Sequence, residues 1–413
     1  MKHAAIAFAG LLAPGCVSPP SPVARDEHWY RLEGATVEVA AINVHETPQG
    51  YAGRLVKADG SAIPLRDVRR DQGSLAFYVP EFGATFTGVP GDGGGWAGQW
   101  QVSGDTSAAA VTLAPSAAPA EQGIVVTISG GRQIHLTCFG EGAPAVILDY
   151  GAGGTQKKDW GAIARTISET AGTRTCTYDR AARGISDPGP LPRTATAVVQ
   201  DLDEALTSAH IAPPYVLVGH SLGSYHVRLF ANTRFDKMAG LVLVDPSGDG
   251  QTERFAAVVP KLVEEQNKLT QAQANLNCIA KLREKPVPAN SPLASLCGGN
   301  DPAAIDATRS EVAEMPGAST AALVASRRSY GDLPVIVLTR GDYDKGMPSS
   351  MSAEDRAGMK QVWEAMHAEM AALSTRGEQR TVPGAGHYIQ GDAPDAVIRA
   401  IADVVATARA PKS

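Results

Sequence analysis

Tyr215-Val216-Leu217-Val218-Gly219-His220-Ser221-Leu222-Gly223 is the stretch on which the reading of this chain turns. An apolar run of strand length feeds Gly-x-Ser-x-Gly, a pattern that sets its serine on a strained strand-to-helix turn with the hydroxyl presented. The two glycines leave the room that so tight a turn needs. A pentapeptide this short also recurs by chance in glycine-rich chains, so its surroundings must decide what it means.

Working outward, apolar strand-like runs at 144–150, 174–178, 215–219, 239–245, 333–339 and 379–382 alternate with helical stretches. In one of these, 194–209, the residues Val198, Leu202, Ala205 and Leu206 share a face at helical spacing. Residues 123–129 and 132–139 read as a hairpin ahead of the series. Alternation of this kind predicts an α/β fold, a mostly parallel sheet covered by helices on both faces. Residues 25–114 read differently, as short β-type runs at 36–39, 74–79, 84–88 and 95–100 punctuated by glycine and proline. They predict a small N-terminal antiparallel β-domain, with Trp96 and Trp100 packed on one face in its core rather than lining a ligand groove. The alanine- and proline-rich stretch 115–122 is the expected linker, and 123–410 the second domain.

A chain of 413 residues fits two domains, and its net charge of −6 with scattered basic residues gives no footprint for nucleic acid. Arg66, Arg69 and Arg70 form a brief cluster, read as a solvated face. No apolar run reaches the ~18 residues that span a bilayer. At the N-terminus, Met1-Lys2-His3, an apolar run at 4–13 and Pro14-Gly15-Cys16 follow the order of a bacterial secretory signal, which predicts export to the cell envelope or beyond. Cys16 resembles the cysteine of a lipobox and would become a lipid anchor to the membrane; ordinary cleavage leaving an incidental thiol is the alternative. In an oxidising compartment the other four cysteines, Cys138, Cys176, Cys278 and Cys297, allow three disulfide pairings.

Several linked motifs give the chain from about residue 123 to 405 its resemblance to the α/β-hydrolase fold. Asp149-Tyr150-Gly151-Ala152-Gly153-Gly154 looks like the loop after the third strand, Tyr178-Asp179-Arg180 with Gly184-Ile185-Ser186-Asp187 like the Tyr-Asp-Arg turn, and Gly384-Ala385-Gly386-His387 like the histidine loop. Tyr150 stands where that family usually has histidine, and Ser224 where a third glycine is common. The resemblance implies that the second and fourth strands are neighbours, which would pair Cys138 with Cys176. It also implies a cap inserted at about 247–331. Cys278 with Cys297 would staple that cap, closing a loop of about 20 residues for roughly 3 kcal/mol.

The same resemblance makes Ser221 a nucleophile in a nucleophile elbow. A serine hydroxyl needs a base, and His387 is the expected one, while His220 and His226 read as pocket walls. Two carboxylates compete for the acid that fixes the base: Asp344, just past the seventh strand in the family's commonest position and the first choice, and Asp245, at the end of the sixth strand. Oxyanion donors would be the backbone N–H groups of Leu222 and Ala152, with Gly151 and Gly153 adjacent. No metal-ligand or nucleotide motif is present, so neither metal nor cofactor is expected. The expectation is an exported serine esterase acting on a small-molecule ester. The alternatives are lactone, amide or carbon–carbon hydrolysis, and a non-catalytic surface binding protein on the same fold.

Overall fold

The computed structural model describes residues 28–410 apart from 36–38, 48–49, 58–61, 118–122, 155, 265–267, 269–276, 286, 288–290, 298, 300 and 346–350. The proposed signal segment, Cys16 and most of the linker therefore lie outside the described residues. Two sheets organise the rest.

The first sheet is antiparallel and nine-stranded, in the order β4-β3-β2-β1-β9-β8-β7-β6-β5. Its strands are β1 (His28–Glu33), β2 (Val39–Thr47), β3 (Gly50–Lys57), β4 (Ala62–Pro64), β5 (Arg66–Arg70), β6 (Leu75–Val79), β7 (Ala84–Pro90), β8 (Trp96–Val102) and β9 (Ala109–Pro115). Alternating side chains form its core, where Tyr30, Ile42, Leu55, Phe77, Phe86, Leu113 and both Trp96 and Trp100 are buried. The two tryptophans are thus core residues.

The second sheet holds eight strands: β10 (Ile124–Thr127), β11 (Gln133–Phe139), β12 (Ala145–Asp149), β13 (Thr175–Asp179), β14 (Tyr215–His220), β15 (Met238–Val244), β16 (Val335–Arg340) and β17 (Gly377–Val382). Their order is β10-β11-β13-β12-β14-β15-β16-β17, antiparallel as far as β13 and parallel from there to β17. Cys138 sits opposite Cys176 in the β11–β13 register, and the two form a disulfide.

Helices cover both faces: α1 (Gln156–Ala171), α2 (Ala195–Ser208), α3 (Gly223–Thr233), α4 (Gln251–Val258), α5 (Cys278–Glu284), α6 (Pro292–Cys297), α7 (Pro302–Glu314), α8 (Thr320–Ala325), α9 (Ala353–Ala371), α10 (Ile389–Asp392) and α11 (Pro394–Arg409). The apolar strands serve both faces because successive side chains point opposite ways. Leu217 and Leu241 pack with Leu202, Phe230 and Trp363 of α2, α3 and α9. Val216, Val218 and Val242 pack instead with Trp160, Ile163 and Ile401 of α1 and α11.

The segment between β15 and β16 carries α4 to α8, where sequence patterning ran out. Cys278 and Cys297 join α5 to α6 through the second disulfide and bury against Leu282 and Ile305. Arg66 of β5 reaches this segment with two bonds to Asp301, at 2.9 and 2.5 Å, so its guanidinium is held in a contact rather than lying on a solvated face. Tyr78 donates to the Val287 carbonyl at 3.4 Å.

Candidate active site

Ser221 follows β14 with φ +49°, a left-handed conformation that costs a non-glycine residue of order 1–3 kcal/mol and persists only where its surroundings impose it. Here they do. A Cβ on Gly219 would stand 2.6 Å from Val227 Cγ2, and one on Gly223 would stand 2.7 Å from the Tyr150 carbonyl oxygen. The turn is pinned by Ser221 N–H donating to Val244 O at 3.2 Å and Ser247 N–H donating to Ser221 O at 3.1 Å. Leu222 caps α3, whose first N–H groups have no partner within the helix.

The loop after β17 carries His387 back to this turn. Its Nε2 lies 3.0 Å from Ser221 Oγ and its Nδ1 lies 2.6 Å from Asp245 Oδ2. Asp245 directly follows β15, has φ +43° and is wholly buried. Burial pushes its carboxyl upward, but the hydrogen bond from His387 and the charge of Arg340 outweigh it and hold the group below the usual carboxylate range. Serine, imidazole and carboxylate therefore stand in line.

The structure brings Asp245 to His387 and leaves Asp344 outside. After β16 the chain turns sharply, because Gly341 and Asp342 both donate to the Ala385 carbonyl and Asp342 Oδ1 accepts from the N–H groups of Asp344 and Lys345. That turn throws Asp344 to the surface, where its side chain is 85 % exposed and pairs with Arg356 Nε at 2.7 Å. His220 and His226 are both buried and held by hydrogen-bond partners. His220 is buried and donates from Nε2 to the His387 carbonyl at 2.9 Å, and His226 sits 2.7 Å from Asp149 Oδ2.

Beside the elbow, Gly151 is buried so tightly that a Cβ there would lie 3.1 Å from Ser221 Cβ, while Ala152 is exposed. Arg180 orients this loop by donating from Nη1 to Tyr150 O at 2.7 Å and from Nη2 to Gly151 O at 3.1 Å. In a trans peptide C=O and N–H oppose each other, so the Ala152 N–H points away from Arg180. The guanidinium is itself buried between Asp149 Oδ1 at 2.6 Å and Glu311 of α7, whose carboxylate accepts from Nε at 3.1 Å and Nη2 at 2.9 Å. Two carboxylates and two carbonyls offset the cost of burying one cation.

A family model for the alpha/beta hydrolase family matches residues 151–400. The chain belongs to the alpha/beta hydrolase family. Among its relatives, the uncharacterized Bacillus subtilis protein YqjL is 25% identical over 266 residues, covering 64% of this chain and 85% of YqjL. The mouse sn-1-specific diacylglycerol lipase ABHD11 is 27% identical over 282 residues, covering 64% of this chain and 81% of the lipase. A solved structure, an acyltransferase candidate from Salmonella enterica, is similar with a TM-score of 0.51 at 15% identity, over 71% of this chain and 98% of that one. For this alpha/beta hydrolase, no group of three or more metal-ligating side chains occurs among the described residues.

The residues around Ser221, His387 and Asp245 that sequence reasoning missed are Arg340 and Trp363 on Asp245 and Glu311 on Arg180. Arg340 closes β16, where a basic residue gives no signal of the carboxylate it holds. Glu311 lies in the insert, which offers no pattern of its own.

Proposed function

We propose that this alpha/beta hydrolase is a serine esterase, with Ser221 as nucleophile, His387 as base and Asp245 as the acid that orients it. The observation that carries the reading is the line of contacts from Ser221 Oγ through His387 to Asp245, at 3.0 and 2.6 Å. His387 takes the Ser221 proton as Oγ attacks the ester carbonyl carbon, and the oxyanion meets the N–H groups of Leu222 and Ala152. The same imidazole hands its proton to the leaving alcohol. Water, deprotonated by His387, then releases the acid and frees Ser221.

A small or medium acyl ester suits a chain with few phenylalanines and tryptophans, and ester cleavage is also what the name of the mouse relative describes. The insert would act as a cap that shapes the acyl or alcohol pocket. Export to the envelope, with Cys16 as lipid anchor, fits the N-terminal pattern and the two disulfides. A fluorophosphonate probe tests the reading: folded wild type should label and Ser221→Ala should not. Wild type that fails to label would make the chain a non-catalytic binder. A screen across acyl chain lengths, lactones and amides then names the bond.

A further inference from the structure

Asp245 collects more donors than a triad acid requires. Oδ1 accepts from the Arg340 backbone N–H at 3.0 Å and from Trp363 Nε1 at 2.9 Å, while Oδ2 accepts from Arg340 Nε at 2.7 Å and faces His387 Nδ1 at 2.6 Å. Arg340 closes β16, is buried, and lies 4.9 Å from the Trp363 ring centroid. Its Nη2 is 2.6 Å from Asp245 Oδ2 and 2.8 Å from His387 Nδ1. A guanidinium thus touches both the acid and the base.

One ring nitrogen cannot donate to the carboxylate and accept from the guanidinium at once. If Arg340 donated to Nδ1, the imidazole proton would sit on Nε2 and Ser221 would face a donor. With the carboxylate held by three other donors, its free lone pair on Oδ2 can take the Nδ1 proton, which leaves Nε2 bare towards Ser221. Charge acts alongside orientation. The groups facing the pair are His220 from β14, His367 and Trp363 from α9, Tyr343 from the loop after β16, and Tyr388 beside His387. Burial pushes His220 down to about 3 and His367 down to about 4, so both are neutral in ordinary buffers. Among the described residues Arg340 is the cation in contact with the pair.

We propose that Arg340 is a positioning residue of the triad: its fork aims the Asp245 carboxylate at His387, and its charge opposes protonation of the Asp245–His387 pair in mildly acidic water. The proposal rests on the triad reading above. A proton added to the pair would place positive charge 2.8 Å from the guanidinium, and removing the guanidinium would let that proton bind at higher pH. A purely structural arginine would leave the pH profile where it was.

The test compares wild type, Arg340→Met and Arg340→Lys by the pH profile of kcat/KM on a short-chain aryl ester from pH 4 to 9, with thermal melts to confirm folding. In Arg340→Met the acid limb should move up by about 1–2 pH units, and kcat should fall with KM little changed. Arg340→Lys keeps the charge but not the fork, so its acid limb should stay close to wild type while kcat drops about tenfold. A folded Met variant with the wild-type acid limb overturns the proposal. Should the Met variant fail to fold, the Lys variant decides: a moved limb or an unchanged kcat overturns it. Failure of the triad reading is seen separately, as wild type that neither hydrolyses ester nor labels at Ser221.

Discussion

Replacing Asp245 by asparagine isolates the acid without changing its size. The amide oxygen would take the position facing the Arg340 N–H and Trp363 Nε1, which are donors at 3.0 and 2.9 Å. That choice puts the amide nitrogen where Oδ2 was, 2.6 Å from His387 Nδ1, and turns an acceptor into a donor. Nδ1 must then accept, the ring proton moves to Nε2, and Ser221 loses its base. A wrong tautomer of this kind lowers kcat by about 10⁴, or ~5 kcal/mol of barrier. Arg340 Nε would meet the same amide nitrogen across 2.7 Å, so a buried donor is orphaned and stability should fall by about 1–3 kcal/mol. The control is Asp344→Asn, which breaks a surface pair worth about 0–1 kcal/mol and should leave kcat within twofold or so. Steady-state hydrolysis of a short-chain aryl ester, with denaturant melts alongside, reads both. If Asp245→Asn keeps kcat within tenfold, or Asp344→Asn loses it, the assignment of the acid is wrong.

Other outcomes follow from the same geometry. Ser221→Gly removes both the hydroxyl and the steric strain of φ +49°, so it should abolish probe labelling while raising stability by about 1 kcal/mol in a thermal melt. Glu311→Gln leaves Arg180 with one carboxylate partner, so it should destabilise by about 3 kcal/mol and slow hydrolysis through a looser Gly151 loop. Cys278→Ala with Cys297→Ala should cost roughly 3 kcal/mol of stability, seen as an earlier denaturant midpoint that no longer responds to reductant at this site. His220 and His367 bind protons less readily folded than unfolded, so stability present above about pH 6.5 should be lost as pH falls towards 4. Melting temperatures across that range should show the slope, and His367→Asn should flatten it.

Elements whose cause is local were readable. Alternating apolar strands, the helical face of 194–209 and the glycines of the elbow each state their geometry in neighbouring residues, and β12 to β17 formed within a residue or two of their expected places. The Cys138–Cys176 pair needed only the strand order. Legibility ended where partners are distant in sequence. Choosing between Asp245 and Asp344 depends on a turn set by Ala385, some forty residues further on, which no short window contains. Arg340 lies 95 residues from the carboxylate it holds, and a basic residue at a strand end carries no signal of its own. The insert is held by one disulfide and by ion contacts to Arg66, Arg180 and Arg228, partners distant in sequence, which is why its pattern was faint.

Helix α7 bears on how freely this chain could be recombined. Asp301 caps its start, accepting from Ala303 N–H at 3.0 Å, and the same carboxylate grips Arg66 of the N-terminal sheet. Glu311, near its other end, grips the arginine that sets the loop beside Ser221. Thirteen residues, roughly 20 Å of helix, therefore tie the N-terminal sheet to the loop beside Ser221. Shuffling the N-terminal sheet or the insert between homologous chains would strand a buried charge at the Glu311 end of that rod and a partly buried one at the Asp301 end. Grafts should succeed only when Arg66, Asp301, Arg180 and Glu311 travel as a set.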